Sequence, residues 1–372
     1  MKLTLQPGLR VTVSELSETP LEAIESRLTL APQAAPDALG DRDVLIAVES
    51  AQVGWVDLLM TSGQYQHAPP LPYTPGLEYA GVVAQTGARV SSVRPGDRVL
   101  VDGLVSGPRS VGDYQQWGGF ASWAVAPEQA VLPIPGALTF DQACNLLGNY
   151  ETAYHCLITR GRLQAGETVL INGASGATGL AAVHVARLVG ATVIASGRSA
   201  TKLAIVKAQG AHHVIDCGDP TGGAGMRRFR DDVKALTGGN GVDLVYDGVG
   251  GEVSQESLRA IRFGGRFLVV GWASTPFVAK GKGLRGAPNA NQLPTNIIMM
   301  KGLDVLGCPT VLSTLHDPSL RAPRREAVLG WASRGEIAPL VSQAYPLSSF
   351  REAMRAKWHG HHVGGVVLHP PR

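Results

Sequence analysis

The stretch that most limits how this chain can fold is Leu170-Ile-Asn-Gly173-Ala-Ser-Gly176-Ala-Thr-Gly179, with a helical run behind it and a second apolar strand at 192–195. Behind Gly179, small or apolar residues recur at Ala182, Val185, Ala186 and Val189, the i, i+3, i+4, i+7 face of one helix. Gly190 stands where such a helix needs a left-handed cap. Strand, glycine turn, helix and second strand make one βαβ unit. Its glycines let the backbone approach a pyrophosphate, and the helix start offers unpaired N–H groups and the positive end of a dipole. Gly173, Ser175, Gly176, Ala177, Thr178 and Gly179 are therefore the expected dinucleotide cradle. The plainer alternative is a glycine-rich turn that holds nothing.

The end of the second strand bears on which dinucleotide is held. Sites that prefer NAD place an acid there to accept from the ribose 2′-hydroxyl. Here Ser196, Gly197 and Arg198 occupy the place, with Lys202 one helical turn on. Two cations at that point suit a 2′-phosphate and predict NADP(H). Read without a ligand, both are solvated surface charges.

The cradle lies inside a longer alternating region. Candidate strands at 168–171, 192–195, 213–215, 243–246, 266–270 and 304–306 alternate with helical patterns, which predicts a parallel sheet covered by helices. The preceding part reads as β-rich, with strands at 44–48, 79–83, near 99 and at 120–125. The tail gives helices near 324–333 and 349–357 and a strand at 365–368. Two stretches without period, 102–117 and 276–292, read as surface loops, the second carrying Lys280, Lys282 and Arg285.

Composition excludes several classes. A net charge of +3 with no long basic run argues against nucleic-acid binding. The four cysteines, Cys144, Cys156, Cys217 and Cys308, form no CxxC pair, so neither a disulfide framework nor a cysteine zinc cluster is indicated. The opening residues read as a strand and no apolar run is long enough to span a membrane, so a cytoplasmic location is expected.

Motifs outside the cradle carry a family resemblance. Tyr73-Thr-Pro-Gly76-Leu-Glu-Tyr-Ala-Gly-Val-Val83, Pro95-Gly-Asp-Arg-Val99, Gly119-Phe-Ala-Ser-Trp-Ala-Val125, Asn149-Tyr-Glu-Thr-Ala-Tyr154, Asp247-Gly-Val-Gly250 and Pro294-Thr-Asn-Ile-Ile298 resemble, in order, those of the medium-chain dehydrogenase/reductases, in their zinc-free quinone oxidoreductase branch. The resemblance implies an α/β chain: a GroES-like β domain (1–147), a Rossmann doubly wound parallel sheet that binds NADP (148–310) and a return to the first domain (311–372), with the active site in the cleft. Zinc members carry a cysteine three residues before an aspartate and a histidine in Gly-His-Glu. The matching residues here are Gly54, before Asp57, and Leu77, so the resemblance implies no metal. His359, His361 and His362 read as an exposed tail cluster. The chain departs from its relatives at Gly54, Leu59, Cys217 and Gly365, where asparagine, tyrosine, tyrosine and lysine are common.

The resemblance also assigns roles. Tyr65 is similar to a tyrosine near the nicotinamide, which would give a proton or bind an oxyanion. Asn149 and Thr152 are similar to residues that contact the nicotinamide ribose or its phosphate, although Asn149 also suits a helix cap. Val249 and Gly250 would lie by the ribose, Gly271, Trp272 and Ala273 by the carboxamide, and Cys308 close to the nicotinamide. The function implied is an NADPH-dependent, metal-independent reductase of quinones or of α,β-unsaturated carbonyl compounds. A 2-enoyl thioester reductase and a cofactor-binding protein with little turnover are the alternatives. Strand 304–306 (Asp304, Val305, Leu306) would end the sheet, and relatives pair it with a second copy, which implies a homodimer.

Overall fold

The computed structural model describes residues 7–36, 38–65, 68–110, 112–221, 225–274 and 291–371. These form two compact units. One holds the chain up to Gly148 and again from Ala332, and the other holds the described residues from Asn149 to Trp331.

The first unit is built on antiparallel strands. β1 (Gly8–Val13) pairs with β2 (Leu28–Gln33). A seven-stranded sheet contains β3 (Asp43–Gln52), β4 (Tyr79–Thr86), β5 (Arg98–Val101), β6 (Trp123–Pro127), β7 (Val131–Pro133) and, from the tail, β14 (Val341–Pro346) and β15 (Gly365–His369). The tail returns because β15 pairs antiparallel with β3, Val367 opposite Gln52. Val44, Ile46 and Val48 of β3 alternate into a core with Val83, Val99, Phe120, Val366 and Leu368, as a half-buried sheet requires.

The second unit is a six-stranded sheet whose pairs are all parallel: β8 (Thr168–Asn172), β9 (Thr192–Gly197), β10 (His213–Asp216), β11 (Val242–Asp247), β12 (Ile261–Val269) and β13 (Asp304–Gly307). The spatial order is β10-β9-β8-β11-β12-β13. Strand order reverses between β8 and β11, so the crevice beyond their carboxyl ends is the point where such sheets receive ligands. The expected helix is Ala177–Val189, its inner face buried at Ala182, Val185 and Ala186, and Gly190 caps it in the left-handed region at φ 88°. β13 is an edge strand, as anticipated, and Val305 is 36% exposed.

Three expectations need correction. The boundary placed after residue 310 falls instead after Trp331. Arg321 and Arg324 reach back to Glu151, with Nε–Oε2 separations of 3.2 and 2.9 Å, and Trp331 packs on Tyr154 at 5.8 Å, so 311–331 stays with the second unit. The stretch 102–117 is not a surface loop throughout, because Asp102, Gly103, Ser106, Gly107, Pro108 and Ser110 are buried. Its backbone turns back on Asp102, which accepts from Leu104 N–H through its carboxylate and from Val105 and Ser106 N–H through its carbonyl, each at 3.0 Å, and this lets the chain be buried. His362 is also buried, with Nδ1 3.3 Å from the Ala356 carbonyl, while His359 and His361 are exposed and stacked. Most of 276–292, with Lys280, Lys282 and Arg285, lies outside the described residues. Among the described residues, no helix is long and apolar enough to cross a membrane.

Candidate active site

The glycine turn has the shape that its sequence demands. Gly173 sits at φ 64°, where a side chain would be strained and would meet Val249 Cγ2 at 2.9 Å. A Cβ on Gly179 would lie 2.4 Å from the Gly173 carbonyl, so only glycine lets the helix start so close to the turn. Gly176 is the N-cap, with extended backbone. Ser175, Ala177 and Thr178 are half-exposed around the helix mouth, where first-turn N–H groups have no partner within the helix. Thr178 Oγ1 donates to Asn149 Oδ1 at 2.9 Å, which brings the helix Leu147–Tyr154 to the cradle. Thr152, on the same helix, is half-buried.

A buried polar network, missed in the sequence, fixes the strand ends around this turn. Asn172 closes β8: its Nδ2 donates to Asp247 Oδ1 at 3.2 Å and Ser257 Oγ at 2.9 Å, and its Oδ1 accepts from Ser196 Oγ at 2.7 Å. Asp247 ends β11 and also accepts from Val249 N–H (3.0 Å), Gly250 N–H (3.4 Å) and the Ser254 hydroxyl. Burial pushes its carboxyl up, against those donors. The Ser196 side chain is therefore committed to the sheet interior. The motif Asp247-Gly-Val-Gly250 held this signal, since an acid before two glycines can fold the turn onto itself.

The turn after β12 closes against the turn after β11. Ala273 N–H donates to Gly248 O at 3.1 Å and Ser274 N–H to Val249 O at 2.8 Å. Gly250, at φ 81°, lies under Trp272, whose Cα would be 3.0 Å from an added Cβ. Val249, Gly250, Gly271, Trp272 and Ala273 are thus brought together beside Gly173. At the end of β9, Gly197 is half-buried, and Arg198 after it is exposed. The Lys202 ammonium is held below its usual range by partial burial and then by the Arg198 charge, so the two cations share one locality. Cys308 follows β13, its N–H on Val269 O at 3.1 Å. Its thiol is drawn down by a hydrogen bond with Cys156 and by Arg160, whereas burial pushes Cys156 up. The Cys156 partnership was not read in the sequence.

Tyr65 belongs to the first unit. Gly54 is the N-cap of the helix Trp55–Met60, and Asp57 on that helix is buried at 2% exposure. The Asp57 carboxylate accepts from Gly54 N–H (2.9 Å), Gly76 N–H (2.9 Å) and Leu77 N–H (3.0 Å), so it ties together the two positions expected of zinc ligands. Glu78 follows, in contact with Arg109 at 3.3 Å. Gly148 passes so near that an added Cβ would be 2.2 Å from Glu78 Oε1. Tyr65 is half-buried, its phenol raised by burial and lowered by the Arg109 charge.

Burial raises the Asp57 carboxyl to about 6, against its three backbone donors. The proton therefore binds the folded state more tightly than the unfolded one. This stabilisation is present at low pH and is lost as the pH rises through about 6. Acidifying from pH 7 to pH 5 should then add roughly 1 kcal/mol from this group. Denaturant titrations of wild type and Asp57→Asn at both pH values check this, the difference vanishing in the variant.

Comparisons with known proteins bear on both units. The family model described as alcohol dehydrogenase GroES-like domain matches residues 40–136, and the one described as zinc-binding dehydrogenase matches 177–317. The quinone oxidoreductase-like protein 2 homolog of Nematostella vectensis is 34% identical over 332 residues, 89% of this chain and 82% of its own. Human quinone oxidoreductase is 30% identical over 330 residues, 88% of this chain and 89% of its own. Among solved structures, a probable oxidoreductase from Mycobacterium abscessus superimposes with a TM-score of 0.77 at 27% identity, covering 98% of this chain and 99% of that one. A mycobacterial protein solved in complex with NADPH gives 0.75 at 25% identity, covering 98% and 100%.

Proposed function

Because the chain belongs to the medium-chain dehydrogenase/reductase superfamily, in its quinone oxidoreductase branch, and is thereby an oxidoreductase, we propose that it is an NADPH-dependent, metal-independent reductase of quinones or α,β-unsaturated carbonyl compounds. The observation that carries this reading is the pairing of a glycine cradle on Gly173, Gly176 and Gly179 with two neighbouring cations, Arg198 and Lys202, where a NAD site would hold an acid. The residues present fit the group. Backbone N–H groups at Ala177 and Thr178 would face the pyrophosphate, with Ser175 at the mouth and Asn149 and Thr152 toward the nicotinamide half. Val249, Gly250, Gly271, Trp272 and Ala273 would flank its ribose and carboxamide, with Cys308 beyond them. The backbone of Ser196 and Gly197 would lead to the 2′-phosphate. When bound, NADPH supplies the hydride.

Tyr65 is the proposed hydroxyl that meets the substrate oxygen. Gly54 and Leu77 offer no metal-binding side chain, and Asp57 is spent on backbone donors, which supports a metal-free site. Prolonged dialysis against a chelator should leave activity unchanged, as measured by NADPH oxidation with total zinc assayed alongside. The reading as a whole is tested by following NADPH oxidation spectrophotometrically against quinones, enones, enals and enoyl thioesters. Turnover with a quinone or enone supports it. Turnover with enoyl thioesters alone, or with no acceptor, removes it.

The homodimer belongs to the same proposal. The edge strand β13 leaves Val305 exposed, and Met299, Met300, Leu312 and Leu315 of the flanking helices are exposed as well. A second copy pairing strand to strand would cover both the open edge and these side chains. Val305→Pro removes a backbone donor and should convert the dimer to monomer or to insoluble protein. Analytical ultracentrifugation at micromolar concentration decides, a monomeric wild type refuting the dimer.

A further inference from the structure

We infer that Arg109 is the anion-binding group for the substrate, its guanidinium receiving the oxygen on which negative charge gathers during reduction. This rests on the reductase reading above. Arg109 comes from the buried part of 102–117. A Cβ on Gly103 would lie 2.2 Å from the Leu77 carbonyl and 3.2 Å from Arg109 Nη2, so the guanidinium sits against the Leu77 backbone. Its charge acts on both Asp57 and Tyr65. The cation therefore stands near Leu77, one of the two positions that would hold a metal in zinc relatives, and its charge is felt at the proposed hydroxyl of Tyr65.

The bonding of Arg109 leaves it able to take a ligand. The side chain is only 11% exposed, yet Glu78 is its one hydrogen-bond partner among the described residues, through Nη2 alone at 3.3 Å. Its Nε is buried with no acceptor among the described residues. Asp57, whose carboxylate accepts from Gly54, Gly76 and Leu77 N–H, makes no hydrogen bond to Arg109. A guanidinium offers five donors in a fork suited to an oxyanion. Holding so buried a cation on a single long bond is costly unless a further acceptor arrives. When a conjugated substrate accepts hydride at carbon, its displaced π pair moves onto the carbonyl oxygen, and that oxyanion is the missing acceptor until a proton reaches it.

The test uses p-nitrophenol, whose phenolate resembles a hydroquinone anion and absorbs differently from the neutral phenol. Wild type should bind the phenolate in preference to the phenol, so that the bound probe ionises at lower pH than the free one. Arg109→Gln should weaken phenolate binding about 10- to 100-fold and leave the neutral phenol unaffected. Arg109→Lys should recover part of the loss. Glu78→Gln, which removes the competing carboxylate, should tighten phenolate binding. A purely structural ion pair would lower stability in both single variants and leave the preference alone. Should Arg109→Gln fail to fold, the Glu78→Gln/Arg109→Gln amide pair replaces it, checked by circular dichroism. An unchanged preference in a folded variant, or no phenolate binding to wild type, overturns the assignment. If no acceptor oxidises NADPH, the reductase reading falls while a phenolate result stands. An unaltered preference in an active reductase removes Arg109 alone.

Discussion

Arg324→Met is expected to destabilise the second unit by about 3–5 kcal/mol, the usual cost of removing one partner from a buried ion pair. Arg324 is completely buried. Its Nε donates to Glu151 Oε2 at 2.9 Å and its Nη2 to Thr314 Oγ1 at 2.7 Å. Arg321 binds the other Glu151 oxygen at 3.0 Å, so the carboxylate ties the helix Leu147–Tyr154 to the helix Arg321–Ser333 through two guanidiniums. Without Arg324, Glu151 keeps one half-buried partner and the Thr314 hydroxyl loses its donor. His155 nearby cannot replace the charge, because burial first, and then Arg324 and Arg160, hold its imidazole down to about 4. The double variant Glu151→Gln/Arg324→Met should not recover the loss, since it also takes the carboxylate from Arg321. Urea unfolding of the three proteins measures this; equal stability of Arg324→Met and wild type would refute it.

Arg198→Ala/Lys202→Ala should lower NADPH affinity by about 100-fold and leave NADH nearly unchanged. Each charge-assisted bond to a phosphate contributes roughly 1.5–3 kcal/mol, and every 1.4 kcal/mol is about tenfold. Arg198→Ala alone should account for about tenfold. The Lys202 ammonium is already held down by burial and by Arg198, so a dianionic phosphate between the two relieves a repulsion that the free protein carries. Calorimetric titration with both cofactors separates the cases. Equal losses for NADPH and NADH would mean that the two side chains shape the site without touching the phosphate.

Local pattern was enough to read the parallel sheet, its helix after Gly179, the Gly190 cap and the open edge at β13. Each is decided by periodicity or by a backbone conformation that one residue type favours, and such information lies within about 20 residues of chain. The returning tail was also legible, through motifs spread along the sequence. Burial was not. The segment 102–110 has the glycine, serine and proline of a surface loop, and only the folded chain shows that its backbone N–H groups turn back onto Asp102 and let it pack inside. Residues 311–331 read as tail until Glu151, some 170 positions earlier in sequence, claimed Arg321 and Arg324. Asp247, Asn172 and Ser196 sit on three strands, and Arg109 meets Glu78 across 31 residues. What makes a polar side chain structural or chemical is whether its partners are already taken inside the protein, and those partners are brought together only when distant segments pack.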